Sequence, residues 1–301
     1  MKLANFVKDG RAQAGIVDKE LIFDVQEAAT ENGFPNFTKP LTVDEVLSNG
    51  LLHSLRLLSS NVISSKLGKP VKSVKLRSPV LFPEKILLVA INYGSHSKEQ
   101  EIKLPTTPYF FTKFRNALIG PGDPILLPRV SKQVDWEAEL AVIIGKTGKN
   151  ISRKDAMDYV AGYAISNDVS FRDYQFSTRG PDGRTNLGLD WVKGKGLDSS
   201  FPLGPWLVTK DEIPDPHNLE ISLSVNGQRK QHSSTGDMVI RIDALIEFAS
   251  AGMTLKPGDI ISTGTPEGVA AHTGQPFLKD GDIVEVSIQG IGTLRNPVRA
   301  E

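Results

Sequence analysis

The sequence of 301 residues contains no cysteine. That absence removes thiol nucleophiles, thiolate zinc sites, iron–sulfur clusters and disulfide scaffolds together, and leaves the cytoplasm as the default expectation. A charge excess is missing too, since 35 basic and 35 acidic residues cancel. Affinity for a phosphate backbone comes mainly from lysine and arginine, so nucleic acid is not expected as a partner. The longest uncharged apolar runs, Ile86 to Ile91 and Leu140 to Ile144, fall far below the roughly 18 residues that span a bilayer. The first ten residues show no apolar signal region, and no membrane partner is expected. Gly145-Lys146-Thr147 has the tail of a phosphate-binding loop but Leu140 where its first glycine belongs. Gly290-Ile291-Gly292 lacks the third glycine of a dinucleotide fingerprint, and no Gly-x-Ser-x-Gly elbow occurs. A soluble protein acting on small molecules or proteins is the expectation that remains.

What is present is enough apolar material for a real core, 39% of the residues. From Met1 to about Val25, short apolar runs broken at Asp9-Gly10 and Asp18-Lys19 read as antiparallel strands. Thr42-Val43-Asp44-Glu45 reads as a capping box opening a helix that runs to about Leu58. Beyond residue 80 the texture becomes strand-rich, with Gly-Asp turns at Gly122-Asp123, Gly258-Asp259 and Gly281-Asp282, each introducing a strand. Asn226-Gly227 marks a hairpin. Two helices interrupt: Ser152 to about Ala161, capped by Ser152 and Asp155, and Asp243 to about Ala251, with Leu245, Ile246 and Phe248 buried. The expected fold is α+β and β-dominated, with a small N-terminal α+β domain at residues 1–80 and a catalytic domain at 81–301. Residues 178–190 read as a mobile loop able to close as a lid.

In Asp135-Trp136-Glu137-Ala138-Glu139, strand alternation sends the three acids to one face. If that face is even partly buried, carboxylates so close need a cation or several donors, and an all-oxygen set selects a hard ion such as Mg²⁺, Mn²⁺ or Ca²⁺; a solvated strand face is the plain alternative. Asp168, ending the strand-like run from Tyr163, can complete such a site. Arg172 can bind a carboxylate bidentately, or pair with Asp173 or a neighbouring acid. His96 and Glu99 become neighbours if residues 92–99 form a helical turn, giving a dyad that activates water; an ordinary surface pair is the alternative. His53, His217, His232 and His272 suggest no role. Lys195 between glycines and Thr263-Gly264-Thr265-Pro266 are weaker signals.

In this order the segments resemble the fumarylacetoacetate hydrolase family over about residues 84 to 299. The matching pieces are Asn92-Tyr93 with His96 and Glu99, Ala117 to Asp123, Asp135-x-Glu137-Ala138-Glu139, Asn167 to Ser170 with Arg172-Asp173, Pro202 to Pro205, Thr263 to Pro266 and Leu294 to Pro297. The resemblance implies a mixed β-sandwich roll, a homodimer, and Mg²⁺ or Mn²⁺ held by Glu137, Glu139 and Asp168. It also implies His96 and Glu99 as the water-activating dyad and Arg172, Gln175, Lys195 and Thr265 as substrate contacts, with Lys113 as a further cation near the site. Trp136 stands where tyrosine is common, Lys195-Gly196-Leu197-Asp198 replaces a frequent Lys-Ser-Phe-Asp, and the N-terminal block is shorter than in fumarylacetoacetase. The expected reaction is hydrolysis of a carbon–carbon bond in an acylpyruvate such as fumarylpyruvate or acetylpyruvate, with Lys195 stabilising the oxyanion. Decarboxylation of oxaloacetate and keto–enol or double-bond isomerisation use the same enolate. A binding protein with a structural ion is the non-enzymatic alternative.

Overall fold

The computed structural model describes residues 1–34, 37, 39–64, 67–176 and 188–301. The chain opens with a meander of Lys2–Lys8, Arg11–Asp18 and Leu21–Asp24. Lys8 pairs with Arg11 across Asp9-Gly10, whose φ values of 50° and 75° are those of a tight hairpin turn. Lys2–Lys8 also pairs with Phe201–Thr209, so the meander extends the central sheet. From there the order runs through Val160–Asn167, Ala138–Ile144, Ile260–Ser262, Ile86–Val89 and Phe110–Lys113. A second sheet, Gln228–Ser234, Glu220–Val225, Ile283–Ile288, Gly292–Ala300 and Ile125–Leu127, packs on one face of the first. The fold is strand-rich α+β with several sheets.

The central strand Ala138–Ile144 shows why this works. All seven residues are buried, because both faces of the sheet are covered. Leu140, Val142 and Ile144 join Ile221, Leu223, Val284 and Val286 of the second sheet in one core. Ala141 and Ile143 face a separate core with Val46, Leu55 and Leu58 from the N-terminal helices. The Gly-Asp turns form as the sequence suggests, with Gly122, Gly258 and Gly281 at φ 76°, 89° and 88°. The Asn226-Gly227 hairpin is likewise present.

Three local expectations change. The Thr42/Glu45 capping box forms, but its helix Val43–Ser48 stops before left-handed Gly50, and a second helix, Leu52–Ser64, follows. Ser152 and Asp155 do bond at 2.5 Å, yet only a 3₁₀ turn at Ala156–Tyr159 follows, because Val160 is already paired with Ile144 in the sheet. In the helix Ile242–Ser250, Leu245 and Ile246 are buried, whereas Phe248 is 46% exposed and stacks on Phe110. Most of the expected lid, residues 177–187, lies outside the described residues. Among the described residues no helix is long and apolar enough to cross a membrane.

Candidate active site

The antiparallel pairing of Ala138 with Asn167 brings the start of one buried strand against the end of the other. Glu137 and Asp168 flank that pair, and the amide of Asp168 donates to the Glu137 carbonyl at 2.9 Å. Glu139 stands two residues further along. Glu137, Glu139 and Asp168 each offer a carboxylate oxygen, and these oxygens lie within 4.8 Å of one another. All three side chains are buried, at 6%, 1% and 0% exposure.

Their surroundings differ. Lys195 Nζ donates to Glu137 Oε2 at 2.9 Å, to Asp168 Oδ2 at 2.6 Å and to Ser170 Oγ at 2.6 Å. Burial alone would raise the Glu137 carboxyl, but Lys195 and Arg172 outweigh it and hold it well below the usual range. Glu139 touches no cation. It accepts from Ser262 Oγ and, at 3.1 Å, from the amide of Gly264, whose φ of 92° turns that N–H inward. Burial, then the charges of Asp168 and Glu137, push Glu139 well above its usual value. Asp168 is raised as well, by burial.

Lys113 stands behind the cluster. Its ammonium is 3.0 Å from Asp168 Oδ1 but donates to the carbonyls of Val169, Lys195 and Ser200 and to Ser200 Oγ, so Asp168 Oδ1 receives charge without a hydrogen. Burial lowers Lys113 to about 8. It does not line the cavity and braces Asp168 from within.

Asp135 departs from the shared face that alternation predicts. The short strand Val134–Asp135 pairs with Ser170–Phe171 and ends before Ala138 begins the central strand, so the two-residue period does not carry through. Asp135 instead accepts from the amides of Trp136, Ala270 and Ala271 and from Arg172 Nε. Arg172 Nη2 reaches Glu137 Oε1 at 2.6 Å and Nη1 reaches Gln175 Oε1 at 3.0 Å. Asp173, the alternative partner, is used by Ser131 and the Lys132 amide.

Gly94–Glu99 forms the anticipated helical turn. The His96 Nδ1 hydrogen goes to Glu99 Oε2 at 3.0 Å, and Gln100 donates to Nε2. Burial would raise Glu99, but the His96 bond and the Gly268 amide lower it. A cavity of about 240 Å³ gathers His96, Glu137, Glu139, Arg172, Gln175, Lys195 and Thr265. His272 lines it too, with its ring centroid 5.9 Å from that of His96. Sequence reasoning assigned no role to His272 or Gln100. Gln100 follows the dyad directly and was within reach of the same helical argument, whereas nothing local marks His272. Val89, Ile91, Phe111 and Trp191 give the cavity apolar walls, with Trp191 stacked on Phe111 at 4.4 Å.

The fumarylacetoacetate (FAA) hydrolase C-terminal profile matches residues 85–299. The chain belongs to the fumarylacetoacetate hydrolase family. Mitochondrial oxaloacetate tautomerase fahd2 of Xenopus laevis is 48% identical over 227 residues, covering 75% of this chain and 69% of its own. Among solved structures, maleylpyruvate hydrolase from Sphingobium sp. SYK-6 in complex with manganese(II) ion and pyruvate aligns with a TM-score of 0.77 and 33% identity, covering 100% of this chain and 99% of that one. The 2-hydroxyhepta-2,4-diene-1,7-dioate isomerase of Mycobacterium marinum aligns at a TM-score of 0.74 and 33% identity, covering 100% and 99%. The chain is an enzyme of this family. Its triad fits a divalent ion on its own geometry: three converging buried oxygens, one of them lacking a hydrogen, and a carboxyl pushed above its usual value by burial and by its neighbours' charge.

Proposed function

We propose that the chain enolises 2-keto acids with the help of Mg²⁺ or Mn²⁺, and that its reaction is keto–enol tautomerisation of oxaloacetate. The observation carrying this reading is one cavity lined by His96, which Glu99 holds, and by Glu137 and Glu139, whose carboxylates converge with that of Asp168. An ion held by those three carboxylates would supply Lewis acidity for the enolate of a bound keto acid. Glu99 fixes the Nδ1–H tautomer, and the Nε2 lone pair of His96, which accepts from Gln100 until a substrate displaces that amide, is the base. His96 takes the proton from C3 and delivers it to the 2-oxygen, and the reverse steps regenerate the keto form without change of composition. Lys195, bonded to Glu137 and Asp168, balances charge beside the reacting oxygens. Val89, Ile91 and Phe111 limit water at the carbanion. The amino-acid identity to the Xenopus laevis tautomerase supports this choice.

Hydrolysis of an acylpyruvate such as fumarylpyruvate or acetylpyruvate is the second reading. It is favoured by full-length similarity to the maleylpyruvate hydrolase, and it assigns His96 to an attacking water. The deciding experiment offers oxaloacetate enol, acetylpyruvate and fumarylpyruvate to chelator-stripped protein, before and after Mg²⁺ or Mn²⁺ is restored. Metal-dependent acceleration of the oxaloacetate enol–keto conversion is expected, and its absence with both ions overturns the primary reading. His96→Ala should lose about 10² to 10⁴ in rate and keep Mn²⁺ binding.

A further inference from the structure

His272 stands apart from the dyad it faces. His96 is held by Glu99 and Gln100, whereas the exposed side chain of His272 makes no hydrogen bond or ion pair among the described residues. Its backbone is anchored. The turn Ala270–Thr273 is tied to Asp135 through the Ala270 and Ala271 amides at 2.8 and 3.0 Å. The same carboxylate holds Arg172, so arginine and histidine hang from one buried anchor.

Arg172 has five N–H hydrogens, and three are committed to Asp135, Gln175 and Glu137. The other two have no acceptor among the described residues. The Arg172 guanidinium brings positive charge to the corner of the cavity that it lines with His272. Elsewhere the cations are spent: Lys195 is bonded to Glu137 and Asp168, and the walls at Ile91, Tyr109, Phe111 and Trp191 carry no charge. A dicarboxylic keto acid with its chelating end toward the triad leaves its second carboxylate to be met, and this corner offers guanidinium and imidazole N–H donors for it.

We propose that His272, with the two uncommitted Arg172 hydrogens, recognises the distal carboxylate of the substrate, so that the enzyme selects dicarboxylic over monocarboxylic 2-keto acids. The inference rests on the 2-keto acid reading above, and its test does not depend on turnover. Malate and lactate share a chelating 2-hydroxy acid end, neither enolises, and they differ by the distal carboxylate. Calorimetry on the manganese-loaded chain should give malate about tenfold or more over lactate, the scale of one charge-assisted hydrogen bond. His272→Leu should reduce that ratio about tenfold, and His272→Lys, which restores an N–H donor on a longer arm, should keep most of it. An unchanged ratio in His272→Leu, or equal binding of malate and lactate by the wild type, overturns the proposal. If malate preference persists in a protein that accelerates no oxaloacetate tautomerisation, the reaction assigned above fails and the carboxylate corner stands.

Discussion

Asp135→Asn is the substitution that tests the site's scaffold most directly. Asp135 is wholly buried, and both its oxygens are shared: Oδ1 between the Trp136 and Ala270 amides, Oδ2 between Arg172 Nε and the Ala271 amide. Asparagine keeps one acceptor and turns two donors toward two donors, whichever way its amide rotates. With the amide nitrogen at the Oδ2 position, Arg172 Nε and the Ala271 amide lose their partner. A charged donor left without an acceptor costs about 1.5 to 3 kcal/mol and a neutral amide about 1 to 3, while Arg172 keeps its bond to Glu137, so about 3 to 5 kcal/mol is expected. Urea denaturation of wild type, Asp135→Asn, Arg172→Met and the double variant would measure both this loss and the coupling between the residues. A cost below about 1 kcal/mol, or strictly additive effects in the cycle, would refute the bracing role of Asp135.

The carboxyls also make stability depend on pH in opposing directions. Glu139, raised above its unfolded value of 4.5, stabilises the metal-free fold fully below that value, and its contribution is lost as pH rises through its folded pKa. Glu137, held below 4.5, contributes above that value and loses its contribution as pH falls through its lowered folded pKa. Mn²⁺ competes with protons for Glu139, so it should bind more tightly and stabilise more at pH 8 than at pH 5, with proton uptake by the buffer visible in calorimetry; a pH-independent affinity contradicts the assignment. Gly162→Ala should destabilise by about 2 to 3 kcal/mol, because a methyl there would overlap the Val208 carbonyl oxygen across the paired strand. Thermal unfolding that leaves the midpoint unchanged would show that these strands can part without loss.

Features governed by one or two residues were legible in the sequence. Asn226-Gly227 and the Gly-Asp turns are dictated by backbone angles that few residues adopt, and the Thr42/Glu45 box needs only its own four residues. Features that depend on a distant strand were not. The Ser152–Asp155 bond forms, but pairing with Ile144 claims Val160 before a helix can grow. Alternation grouped Asp135 with Glu137 and Glu139 because it assumes one uninterrupted strand. His272 joins the site only because Asp135 captures the amides of its turn, a contact between segments far apart in the chain.

The charge balance of the cluster connects the fold to the kind of reactant it accepts. Among the described residues, the four carboxylates of Asp135, Glu137, Glu139 and Asp168 face the three cations Lys113, Arg172 and Lys195. One negative charge is left over, and it falls on Glu139, the acid with no cation beside it, which is where burial favours a proton. A divalent ion that replaced this proton would leave the cluster with one positive charge in excess, inside a cavity whose other walls are largely apolar. An uncharged reactant would not neutralise that excess, whereas the carboxylate of a keto acid would, and the enolate formed from it would bring further negative charge to the ion as the proton leaves. The same arithmetic explains why a second carboxylate on the reactant needs donors away from the triad, where His272 and the free hydrogens of Arg172 lie.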